Sequence, residues 1–92
     1  MAPASRATSA LDTALEAWTL SMRAQGLADR TITERRRVIA RLAKTTDPLD
    51  LTPTTLTAWL ADLPTPATRH TYYTVARAWT HWLHLPGRRT DD

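Results

Sequence analysis

Ninety-two residues, 42% of them hydrophobic and four of them tryptophan, suit one compact domain with a single small core and leave no room for two. Two glycines and six prolines against fifteen alanines favour helix over an architecture of many short strands, and the lack of cysteine excludes disulfides, thiolate metal sites and a cysteine nucleophile. Net charge is +3, yet residues 30–44, "RTITERRRVIARLAK", hold six of the twelve cations and one acid, so this segment carries +5 and everything else −2.

Residues 1–9 hold one arginine and no apolar run of signal-peptide length, and are expected to form a disordered tail. No window approaches the ~18 apolar residues of a membrane span, so the expectation is a soluble intracellular protein. A first helix is predicted over residues 10–25. Leu11, Ala14, Leu15, Trp18 and Met22 recur at helical spacing there, and Gly26 follows where a left-handed cap would sit.

A second helix is predicted to begin near Asp29 or Thr31, either of which could cap it, and to run to about Lys44; Thr31 with Glu34 has capping-box spacing. At about 100° per residue, Ile32, Val38, Ile39, Leu42 and Ala43 share the core side, whereas Arg30, Arg37, Arg41 and Lys44 form a narrow stripe opposite. Arg36 lies on a flank. Arg35 projects into the apolar arc and must either snorkel out or find a buried acceptor.

"TTDPLD" breaks the pattern. "LTPTTLTAWLADL" restarts it, with Thr52 as N-cap, Pro53 at the first helical position and Leu56, Trp59, Leu60 and Leu63 on one face. The last helix repeats the device with Thr65 and Pro66. It carries an apolar stripe of Tyr72, Val75, Ala76, Trp79, Trp82 and Leu83 up to a stop at Pro86 and Gly87. "TYYTV" favours extended backbone locally, but apolar spacing of three and four residues over more than two turns predicts helix. Opposite the tryptophans, His70, Thr74, Arg77, His81 and His84 make a second polar stripe.

Cations aligned on an outer helix face can simply keep a protein soluble, or can follow a phosphate backbone and reach guanine edges. The second polar stripe favours a nucleic-acid surface. The order of signals resembles the N-terminal core-binding (SAM-like) domain of the tyrosine recombinase, or phage integrase, family over residues 11–92. The matching features are Trp18, "GLADRTI", "LTPTTLTAWLADL", and a last helix in which Tyr73, Ala76, Trp79, Trp82 and Leu83 fill the family's apolar places before Gly87.

That resemblance implies an all-α fold, a four-helix orthogonal bundle over residues 10–87, with an interdomain linker beginning at 88–92. It implies half of a C-shaped clamp on the double-stranded DNA of a recombination half-site, with the second and fourth helices approaching the major groove. It further implies a recombinase tetramer on DNA, and chemistry confined to a C-terminal catalytic domain of a longer parent chain. The DNA-binding residues it implies are Arg30, Thr31, Thr33, Arg37 and Arg41, then His70, Thr71, Thr74 and Arg77; the helical wheel alone adds Lys44. Ala28 stands where the family has a capping serine, Arg35 where it often has an inward aromatic, and Arg69 at a usually apolar place.

Catalysis within these residues is not expected. Tyr72 and Tyr73 have no neighbouring set of cations to neutralise a phosphorane-like transition state. His70, His81 and His84 have no carboxylate or thiol beside them for a metal, and no cofactor is expected. Glu16, Asp47, Asp50 and Asp62 are scattered over different segments, which leaves no acid/base pair. Trp18, Trp59, Trp79 and Trp82 lie on apolar faces, so packing takes precedence over base stacking. Two rivals stand beside DNA recombination: a SAM-like protein-interaction module that binds no DNA, and a helix-turn-helix regulator, for which "AKTTDPLDLTPTT" is a long turn.

Overall fold

A computed structural model describes the backbone of residues 2–85 and the side chains of residues 10–85. The expected stop at Pro86 and Gly87 and the linker at 88–92 lie outside the described residues. The all-α expectation is borne out. Four helices, α1 (Ala2–Ala24), α2 (Asp29–Leu42), α3 (Pro53–Ala61) and α4 (Pro66–Leu83), are joined by turns and a 3₁₀ turn at Pro48–Asp50, with no strand among the described residues.

The chain divides within α2 into two compact units, residues 1–36 and 37–92. In the first, α1 begins at Ala2, eight residues before the apolar spacing starts. Its early turns are alanine-rich and glycine-free, and Pro3 falls in the first turn, where a missing N–H costs nothing. Leu15, Trp18, Met22 and Ile32 are buried.

The helix ends as a Schellman motif. Gly26 takes φ +84°, its N–H bonds the Arg23 carbonyl at 2.9 Å, and the Leu27 N–H bonds the Met22 carbonyl at 3.1 Å. This closure leaves only Ala28 before α2, and it corrects the expected cap. The Ala28 carbonyl already accepts from the Ile32 N–H at 3.0 Å, so Ala28 holds the N-cap position, while Asp29 and Thr31 fall inside the first turn. Asp29 there still complements the helix dipole.

In the second unit, Thr52 and Thr65 cap α3 and α4 as expected, each accepting from the backbone N–H three residues on, with Pro53 and Pro66 opening the helices. Thr52 and Thr55 complete a capping box. α3 and α4 pack on one another. The Trp59 and Tyr72 rings stack across them, with centroids 5.3 Å apart at 17°. Trp79 is fully buried, and its indole N–H donates to the Pro48 carbonyl at 2.8 Å, which ties the 3₁₀ turn to α4. A buried indole needs such a partner, because an unmatched N–H would cost about 1–3 kcal/mol.

Tyr73 departs from the register that the resemblance implies. Tyr72 is half-buried against Trp59, whereas Tyr73 is 42% exposed. The phase of α4 is set by Val75, Ala76, Trp79 and Leu83, all buried, and that phase points Tyr72 inward and Tyr73 outward.

Candidate nucleic-acid interface

All ten residues expected to meet DNA have exposed side chains: Arg30, Thr31, Thr33, Arg37, Arg41 and Lys44, and on α4 His70, Thr71, Thr74 and Arg77. Helical geometry groups most of them. On α2, with Arg30 at zero, Thr33, Arg37 and Arg41 fall within about 80° together with Lys44, which sits in the turn just past the helix. Thr31 stands about 100° away from Arg30 and off the stripe. α2 stops at Leu42 rather than Lys44, the Lys44 N–H bonding the Arg41 carbonyl at 3.2 Å as the helix unwinds.

The two arginines between these cations turn the other way. Arg36 donates to the Thr19 hydroxyl and to the Leu15 carbonyl at 3.5 Å, and lies 3.9 Å from Glu16. Thr19 is buried and its hydroxyl donates to the Leu15 carbonyl at 2.7 Å, so Arg36 closes a polar chain joining α1 to α2. The ion pair adds little, since the Glu16 side chain is 73% exposed. Arg35 is half-buried and reaches the Met22 sulfur at 4.0 Å, a weak acceptor. Arg69 likewise serves the fold, donating to the Leu63 carbonyl at 2.9 Å across the turn between α3 and α4.

α4 contains no acidic residue. His70, Thr74, Arg77 and His81 share one outer arc of about 60°, and all four are exposed. His81 and His84 belong to the same exposed stripe, although the resemblance did not single them out. The Thr74 hydroxyl donates to the His70 carbonyl at 2.9 Å, which leaves its lone pairs to accept from a ligand. His84 Nδ1 lies 2.8 Å from the Thr80 carbonyl, which can only accept, so this nitrogen is the donor.

All four tryptophans are buried, at 2% for Trp18, 8% for Trp59, 0% for Trp79 and 6% for Trp82, so none offers an open face for a base. Among the described residues no three His, Asp or Glu side chains are placed to hold a metal ion, and no helix is long and apolar enough to cross a membrane. The chain matches no protein-family model, no characterised protein and no solved structure.

Proposed function

We propose that this chain binds duplex DNA, without catalysis of its own, as the core-binding domain of a site-specific tyrosine recombinase. The observation that carries the reading is the outer stripe of α2, where Arg30, Arg37, Arg41 and Lys44 stand exposed with Thr33 among them. Arginine forks hold phosphate oxygens and set register. Threonine hydroxyls and His70 then reach base edges, Thr74 acting as an acceptor toward a base amino group. The recombinase assignment rests on the order and spacing of the sequence signals, and it places integration or excision chemistry in a separate catalytic domain. Mixing the protein with an unrelated duplex at low salt tests the binding. The wild type binds, and Arg37→Glu with Arg41→Glu abolishes binding while the helical circular dichroism is kept; an unchanged affinity would overturn the reading.

One observation favours a protein-interaction module instead. Leu20 on α1 is 65% exposed, with Ala17 and Ala24 exposed one turn to either side. That reading predicts no duplex binding at any salt and no effect of the two charge reversals.

A further inference from the structure

Beside the cationic end of α2 lies an open groove of about 300 Å³, lined by Arg41, Lys44, Thr45, Trp59, Asp62 and Leu63. It is continuous in its lining with a second hollow of about 220 Å³ that shares Thr45, Trp59 and Asp62. Its floor is fixed, because Trp59 is buried and stacked on Tyr72. Its rim is divided by chemistry. Arg41 and Lys44 offer only donors, while Asp62 offers only acceptors. Thr45 joins the acceptor side, since its hydroxyl proton points to the Leu42 carbonyl at 3.4 Å.

Opposite charges sharing one groove would ordinarily close on each other. Among the described residues, however, no ion pair joins Asp62 to Arg41 or Lys44. Asp62 also stands at the C-cap of α3, where the helix dipole disfavours a carboxylate. A carboxylate in an unfavourable place, facing cations it does not neutralise, suits a bifunctional ligand with an anionic end and an amino end.

Resting on the duplex-DNA reading above, we infer that this groove reads one nucleotide of the bound strand. Arg41 and Lys44 hold its phosphate, and Asp62 with Thr45 accepts from the exocyclic amino group of a cytosine or adenine. Carboxylates pair with cytosine N4 in this way, and each good base contact discriminates by about five-fold or more.

The sign of one substitution decides. A carboxylate that only borders a phosphate-binding face repels DNA, so removing it tightens binding to every sequence alike. A carboxylate that reads a base does the reverse. Wild type and Asp62→Ala are each used to select duplexes from a randomised pool, and the affinity of both for the wild-type selected duplex is then measured by anisotropy. The inference expects wild type to enrich cytosine or adenine at one position. It expects Asp62→Ala to lose that preference and bind the selected duplex at least about five-fold more weakly, with the salt dependence unchanged. Asp62 is exposed and its removal relieves the dipole conflict, so the variant keeps its fold and melts no lower than wild type. Equal or tighter binding by Asp62→Ala to all duplexes overturns the groove assignment alone. A wild type that binds no duplex overturns the DNA reading and this inference with it.

Discussion

The arginines of α2 divide into an outer and an inner set, and the contrast between them separates function from stability within one run of charge. Arg30, Arg37 and Arg41 stand exposed on one stripe. Arg35 and Arg36, in the middle of the same run, are half-buried and spent on Met22, Thr19 and Leu15 of α1. Helical phase alone makes the division, since residues three, four and seven apart share a face while neighbours do not. A segment's net charge therefore overstates what a ligand meets. Of the six cations in residues 30–44, the outer stripe presents four.

Breaking Arg30 and Arg41 of the outer set should have the largest effect on binding and almost none on folding. Arg30→Ala with Arg41→Ala removes two phosphate contacts, so the slope of log affinity against log salt should become shallower by about two units, with the melting temperature unchanged. Anisotropy titrations and a thermal melt on the same samples check both halves.

Breaking the inner set should do the opposite. Arg36→Met keeps the aliphatic stem but leaves the buried Thr19 hydroxyl without its charged donor, and should cost about 1 kcal/mol in urea unfolding, since the guanidinium is already partly solvated. Its salt slope should stay within one unit of wild type. Arg35→Leu is the smallest change. The residue lies in the apolar arc and its polar partner among the described residues is a sulfur, so a leucine there should be neutral or stabilising by up to about 1 kcal/mol, with duplex affinity retained. A fall in duplex affinity for Arg35→Leu as large as that for the outer pair would erase the distinction.

What was legible in the sequence follows the range of each interaction. Thr52 with Pro53, Thr65 with Pro66, and Gly26 act within four residues of themselves, so the starts of α3 and α4 and the end of α1 could be read directly. The start of α2 could not. Asp29 and Thr31 are both capping residues, and only the tight closure at Gly26 and Leu27 decides that the helix begins before either can serve. Partners distant in sequence were equally hidden. Nothing local links Arg36 to Thr19 or Trp79 to Pro48, although the 3₁₀ turn itself is capped locally, Asp47 accepting from the Leu49 N–H with Pro48 at the first position. Tyr73 shows how the two kinds of reading differ. The apolar wheel of α4 chose Tyr72, the family register chose Tyr73, and burial follows the wheel because Trp79 and Ala76 fix the helix phase.

The salt dependence of duplex binding by the wild-type protein tests the central claim most directly, namely that the outer cations neutralise phosphates. With about five phosphates engaged, log affinity should fall against log salt with a slope near −4 to −5, measured by anisotropy at three salt concentrations. A flat slope, or no binding at the lowest salt, would contradict it.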